Sequence, residues 1–334
     1  MNYYIQIRSR NKAKIDIDVL FRDMGYKNLT PNNNSGNAIM RFILRLIAVS
    51  KILFTLHKGD VLCLQYPMKK FFTPACRLTH AKGAKVITIV HDLGAFRRHK
   101  LTIEQENRRL ANSDVIIVHN ERMKEHLLAN GCKQSIITLG IFDYLTETES
   151  SHTIRKRNQQ CKVAFAGNLA RWRNEFLYHL EEETTTWTLE AYGKGFDESH
   201  KGNPHLHNHN MISPDDFVAQ CEADFGLVWD GSSLDECDGE WGRYLLVNNP
   251  HKTSFYLRAG IPVIVWAESA MAPFILEHGI GIAIHSIREL KDLLVKMPDE
   301  TYSRLKSNAI NFSKLLGNGT YTRRAFHEAM KSIG

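Results

Sequence analysis

The chain has no CxxC pair. Its six cysteines stand singly at positions 63, 76, 132, 161, 221 and 237, which fits reduced thiols in a cytoplasmic protein. A long uninterrupted apolar run is also missing. Residues 39–56 come nearest, but Arg41, Arg45 and Lys51 break the stretch, and a spanning helix needs about 20 mostly apolar residues. The first ten residues alternate polar and apolar and lack the apolar centre of a signal peptide. There is no GxxxxGK[ST], GxGxxG, GxSxG or HExxH. The signatures of the commonest NTPases, dehydrogenases, hydrolases and metalloproteases are therefore absent. Aromatic and basic residues do not interleave as in a nucleic-acid-binding fold, so no nucleic-acid partner is expected. His205, His207 and His209 alternate in a Pro- and Asn-containing loop, but an isolated HxHxH is a weak metal signal and no bound metal is expected.

What is present is the composition of a globular protein, 43% apolar and 24% charged over 334 residues. That length predicts two domains, each large enough to bury a core. The net charge of +7 is unevenly spread. Residues 1–160 hold 26 Lys and Arg against 13 Asp and Glu, and residues 161–334 hold 17 against 23. The basic half suits an anionic partner such as a membrane surface or a lipid pyrophosphate, or it is ordinary solvated charge.

Hydrophobic periodicity predicts alternating strands and helices. Strands are expected at residues 3–8, 26–29, 60–66, 85–90, 114–118 and 135–139. Helices are expected at 12–24, 38–56, 69–81, 102–111 and 121–130. Such alternation implies a doubly wound parallel sheet, whose ligands sit beyond the carboxyl ends of the strands. Tyr66, His91, Asp92, His119 and Asn120 fall at such ends. A carboxylate at Asp92 can take a proton from an attacking hydroxyl. It can equally cap the next turn, with His91 a hydrogen-bonded core residue. The loop 31–36, which holds Ser35 and Gly36, either approaches a ligand with its backbone or simply connects to the next helix.

Residues 146–160 are polar and read as a linker. Strands return at 161–166, 187–192, 224–229 and 281–284, and residues 231–242 read as an acidic loop. Residues 248–266 (NNPHKTSFYLRAGIPVIVW) hold a loop, a short helix stopped by Gly260, and a buried strand. Lys252 lies in that helix's first turn, where unpaired N–H groups favour an anion. An ordinary helix–strand unit with a solvated lysine reads equally well. Helices at 299–315 and 321–331 close the chain.

Several short pieces occur together. They are Gln65-Tyr66-Pro67, His91-Asp92-Leu93, residues 112–120 (NSDVIIVHN) with Met123, and Ile141-Phe142-Asp143-Tyr144. The second half adds Phe165-Ala166-Gly167-Asn168-Leu169, Tyr192-Gly193, residues 225–230 (FGLVWD), and Asn249-Pro250-His251-Lys252 with residues 259–264 (AGIPVI). In this order and spacing they make nearly the whole chain resemble one bacterial GT-B glycosyltransferase family. That family comprises glucosyl- and galactofuranosyltransferases, including the third glucosyltransferase of the serine-rich adhesin glycosylation pathway.

The resemblance implies two Rossmann-like α/β domains with parallel sheets facing a central cleft. The expected divisions are residues 1–150 for the acceptor, 151–315 for the nucleotide-sugar, and a terminal helix, 316–334, crossing back. It implies transfer of a hexose from a UDP-sugar to a sugar hydroxyl in surface polysaccharide or glycoprotein synthesis, without a metal and with inversion. Asn249 and Lys252 are then expected at the diphosphate, with Arg173 a second phosphate ligand beside Asn168. Tyr192 and Gly193 are expected by the uracil or ribose, and Asp230 by the ribose or sugar. Ser35 and Gly36 would reach the diphosphate from the other domain. Tyr66, His91 and His119 are expected on the acceptor side. Asp92 is the expected base, with Glu268 and Asp230 as rivals. The partners implied are a UDP-sugar, a glycan or lipid-linked acceptor, the inner membrane leaflet and further copies of the chain. The competing reading is a non-catalytic GT-B-fold partner or glycan-recognition protein.

Overall fold

The computed structural model describes all residues except 7, 8, 10, 33–36, 98–100, 151–156, 158, 159, 181–185 and 334. Ser35 and Gly36 thus lie outside the described residues. The chain forms two compact units, Met1–Phe142 with Gly319–Gly334, and Asp143–Asn318.

In the first unit the strands are β1 (Asn2–Tyr4), β2 (Lys27–Asn28), β3 (Val61–Tyr66), β4 (Lys85–Val90), β5 (Val115–Val118) and β6 (Ser135–Thr138). They form one sheet in the order β2-β1-β3-β4-β5-β6, and every pair is parallel. The helices are α1 (Lys12–Asp23), α2 (Ala38–Thr55), α3 (Phe72–Ala81), α4 (Gly94–Arg97), α5 (Ile103–Leu110) and α6 (Glu121–Ala129). β3 and β5 are buried along their whole length. Helices cover both faces of a parallel sheet, so its central strands read as continuous apolar runs. Three residues of the expected helix 69–81 form a tighter turn, Lys69–Phe71, before α3 begins.

The second unit repeats the plan with β7 (Cys161–Asn168), β8 (Trp187–Lys194), β9 (Leu206–Asn208), β10 (Phe225–Val228), β11 (Val263–Trp266) and β12 (Gly281–Ile284). The order is β12-β11-β10-β7-β8-β9, again all parallel. Its helices are α7 (Arg171–Asn174), α8 (Pro214–Gln220), α9 (Gly239–Tyr244), α10 (His251–Arg258), α11 (Ala272–Glu277), α12 (Leu290–Lys296) and α13 (Asp299–Gly317). From Asp143 onward the chain belongs here, and the Tyr144 N–H donates to the Leu316 carbonyl at 3.3 Å.

The last helix, α14 (Thr320–Ile333), packs within the first unit. Phe326 meets Phe21 edge-on at 4.9 Å, and Arg324 Nη2 donates to the Leu139 carbonyl at 2.8 Å.

Two segments differ from expectation. Residues 205–209 are not a loop, because Leu206–Asn208 pairs with β8 as an edge strand. His207 Nδ1 and His209 Nε2 both face the Glu190 carboxylate, at 3.0 and 2.5 Å. Among the described residues no group of three or more His, Cys, Asp or Glu is arranged to hold a metal ion. The acidic stretch 231–242 is not loop throughout, because its last four residues open α9 (Gly239–Tyr244).

Candidate active site

In the second unit the site begins with α10 seated on β10. Gly226 makes this possible, since a Cβ there would lie 2.3 Å from the Tyr256 ring. Tyr256 lies flat on the strand, and its hydroxyl accepts the Ala166 N–H at 2.6 Å. Gly260, at φ +65°, adopts the left-handed turn that ends the helix. At the same end of the helix, buried Arg258 donates from Nη1 to Ser313 Oγ at 3.0 Å, which ties α10 to α13.

This seating places the first turn of α10 beside the ends of β7 and β10. Lys252 Nζ donates to the Trp229 carbonyl and to Asp230 Oδ2, each at 2.9 Å. Arg173 reaches the other oxygen of the same carboxylate, with Nε and Nη2 both 3.3 Å from Oδ1. Asp230 is 4% exposed, so two cations converge on one buried anion and leave an excess positive charge. Burial pushes the Lys252 ammonium below its ordinary pKa, with the Asp230 charge opposing that shift and the Arg173 charge adding to it. The Lys252 ammonium also lies 4.6 Å from the centre of the Phe165 ring.

Asn249 is buried just before the helix. Pro250 is the N-cap and supplies no side-chain cap. The buried Thr253 hydroxyl, in the same turn, has no hydrogen-bond partner among the described residues. The end of α10 therefore presents backbone donors next to two cations, an arrangement that suits a phosphate. A polar cavity of about 480 Å³, lined among others by His179, Ser232, Asp235 and Arg288, lies in the same unit, and none of Arg173, Asp230 or Lys252 lines it.

Trp241, which carries no motif in the sequence, completes the cluster. The Arg173 guanidinium lies 3.8 Å from the centre of its indole ring. Stacked on one face and held by Asp230 at its edge, the guanidinium is fixed in plane. The missed signal was an aromatic residue in an otherwise acidic stretch.

Asn168 supports this cluster from behind. Its Oδ1 accepts the Ala170 N–H at 2.8 Å, and its carbonyl accepts from Asn174 at 2.6 Å, which shapes the turn carrying Arg173. Gly193 sits across from Gly167 in the sheet, where a Cβ would fall 1.9 Å from the Gly167 carbonyl oxygen. Tyr192 faces elsewhere. It stacks on His209 at 4.7 Å and lines a separate cavity of about 370 Å³ with Glu190, Gln220 and Cys221. None of Arg173, Asp230 or Lys252 lines that cavity. A strand alternates its side chains, so Tyr192 follows Glu190 to one face while the strand end leads to the other.

In the first unit the expected acceptor residues separate into core and rim. Tyr66 is 1% exposed, with its hydroxyl donating to Glu106 Oε1 at 2.9 Å. Glu106 also accepts the N–H groups of Gly94 and Ala95, so Tyr66 positions the turn after β4 instead of facing a ligand. His119 is 2% exposed, its Nε2 on the Val90 carbonyl at 3.1 Å. Burial lowers its pKa to about 4, so it is a neutral core histidine. Tyr66 ends β3 and His119 directly follows β5, and a parallel sheet covered on both faces buries side chains whichever way they alternate.

His91 is half-buried and stacks on Phe142 at 5.4 Å. Gln65 Nε2 donates to Asp18 Oδ1 at 2.6 Å and to the Lys14 carbonyl at 3.2 Å. Its Oε1 therefore faces His91, and His91 Nε2 is the donor in their 2.7 Å contact. The basic nitrogen of a neutral His91 is then Nδ1. Asp92, next in the chain, is 9% exposed, and its charge helps to raise the pKa of Glu106, which burial raises most.

Of the rival bases, Asp230 is occupied by two cations. Glu268 is exposed, 3.7 Å from His285.

Two α/β units, each built on a six-stranded parallel sheet, make the plan of the GT-B glycosyltransferases. Comparisons with known proteins agree. Residues 2–141 match the N-terminal domain model of the glucosyltransferase 3-like family, and residues 163–329 match its C-terminal domain model. The chain belongs to the glucosyltransferase 3-like family. It is 32% identical over 300 residues to the beta-1,6-galactofuranosyltransferase WbbI of Escherichia coli K12, covering 89% of this chain and 87% of that one. It is 24% identical over 284 residues to glucosyltransferase 3 of Streptococcus gordonii, covering 82% and 80%. Among solved structures, the sucrose-phosphate synthase of Thermosynechococcus elongatus superposes with a TM-score of 0.59 at 10% identity, covering 98% of this chain and all of that one. A glycosyltransferase of Rickettsia africae gives 0.56 at 10% identity, covering 99% and 98%. These two likenesses concern the fold.

Proposed function

We propose that this glycosyltransferase moves a hexose from a UDP-sugar to a sugar hydroxyl of a surface glycan, on a lipid-linked or other acceptor. The similarity to a galactofuranosyltransferase puts galactofuranose first among the donors, ahead of galactose and glucose. The observation that carries the reading is the pair of cations, Arg173 and Lys252, on buried Asp230 at the first turn of α10. A departing UDP gains negative charge on its diphosphate. Fixed N–H groups with Lys and Arg stabilise that charge without requiring a metal.

In this reaction the acceptor hydroxyl oxygen attacks the anomeric carbon, the bond to UDP breaks, and UDP leaves with the electron pair. Attack from the face opposite UDP inverts the anomeric centre. We assign Asp92 as the group that takes the hydroxyl proton, with His91 beside it held by Gln65. A positioned general base contributes roughly 10²–10⁴-fold, so Asp92→Asn should retain less than about a tenth of wild-type turnover. Greater activity would remove Asp92 from the role.

The whole reading is tested by calorimetry and slow donor hydrolysis with a panel of UDP-, GDP- and dTDP-sugars in EDTA. Selective UDP-sugar binding and metal-free release of UDP are expected. No nucleotide binding would instead favour a non-catalytic GT-B-fold protein.

A further inference from the structure

Helix α2 is apolar on two sides. Leu44, Ala48, Val49 and Ile52 are buried in the first unit. Around the rest of the helix Ile39, Phe42, Ile43, Leu46, Leu53 and Phe54 stand exposed, Phe54 at 85%. Their spacing follows the helical repeat, so they form a stripe along 18 residues, about 27 Å. An exposed apolar patch of that extent marks an interaction surface.

The charge around the stripe selects what covers it. Residues 24–91 contain ten Lys and Arg and a single acid, Asp60. Helix α2 itself carries Arg41, Arg45 and Lys51 and no acidic residue. Lys70, from the turn before α3, sits 4.9 Å over the Phe42 ring, at the edge of the stripe. A second copy of this face would bring like charges together, which costs binding energy. An anionic lipid surface takes the apolar stripe into its acyl boundary and the flanking cations at its headgroups. No described helix is long and apolar enough to cross a membrane, so the contact would lie in the plane of the interface.

We propose that α2, with Lys69 and Lys70 beside it, docks the first unit onto anionic membrane. This does not depend on the donor or on the assignment of the base.

The test is co-sedimentation of the full chain with vesicles of phosphatidylglycerol and phosphatidylethanolamine, against vesicles of phosphatidylcholine alone. Wild-type protein should bind the anionic vesicles at least about tenfold better. It should be released near 1 M salt, where screening acts over about 3 Å. The variant Leu46→Ser/Phe54→Ser should bind them at least about tenfold more weakly, since two large side chains leave the interface. Both positions are exposed, so its melting temperature should match wild type. Absence of anionic preference, or unchanged binding by the double variant, would overturn the proposal. So would a wild type that ignores vesicles but forms an oligomer in light scattering that the double variant dissociates, because a second copy would then cover the face.

Discussion

Lys252 and Arg173 act through one shared carboxylate. Asp230 holds both cations near one position, and the surplus charge is what an anion meets there. Removing Lys252 leaves Asp230 paired only with Arg173 and cancels the excess. Lys252→Ala should therefore weaken UDP binding by at least about tenfold, the scale of one charge-assisted contact. Calorimetry checks this, and unchanged affinity would take Lys252 out of the site. Trp241 acts one step removed, by holding the Arg173 plane at 3.8 Å. Trp241→Ala should raise the KM for the donor severalfold, while Trp241→Phe, which keeps a ring face, should restore most of it. A purely structural role for Trp241 would lower stability and leave the donor KM unchanged. Indole fluorescence should also change on UDP binding if Arg173 engages the phosphate.

At the scale of elements, β9 shows how a pattern with no clear purpose in the sequence acquires one in the sheet. His207 lies on the edge strand and His209 just past its end, and both clasp Glu190 of the neighbouring strand. Burial alone would raise the Glu190 carboxyl. Hydrogen bonds from His209, Thr188 and His207 outweigh it and hold the pKa at about 2, below the ordinary 4.5. A depressed acid stabilises the fold above its unfolded pKa and loses that contribution as pH falls through the folded value. The stability difference between wild type and Glu190→Gln should therefore shrink as pH falls from about 4.5 toward 2. Denaturant unfolding across that range measures it, and a difference independent of pH would contradict the clasp. Helix α10 makes the complementary point, because its N-terminus is useful only where Gly226 lets Tyr256 seat it on β10.

At the scale of the molecule, the first unit is completed by the end of the chain. Helix α14 buries Phe326 against Phe21 and bonds to the loop after β6. Ending the chain at Asn318 would expose that surface and remove large apolar contacts, each worth about 1.5–3 kcal/mol. Such a truncation should lose the cooperative thermal transition of the first unit or become insoluble. A truncated protein that melts as wild type would show that α14 adds nothing to that unit.

Sequence and structure divide the account along physical lines. The sheets were legible because buried parallel strands must be apolar throughout, so 61–66, 85–90 and 263–266 announce themselves. That Lys252 lies in a helix's first turn was legible from the loop and the Gly260 stop around it. Tyr66 and His119 were not legible as core residues, because strand alternation decides inside from outside only once the sheet is built. Tyr192 was placed with the nucleotide by the family resemblance, and in the structure its side chain lines a cavity that Arg173, Asp230 and Lys252 do not line. Trp241 and Gln65 had no local signal, since each works through a partner far away in the chain. The sequence by itself determined the element types, the two-unit plan and the charge asymmetry, which follow from local periodicity and composition. Only the tertiary structure decided which charges share a carboxylate, which ring holds Arg173 and which histidine nitrogen is basic, because those depend on atoms brought together by packing.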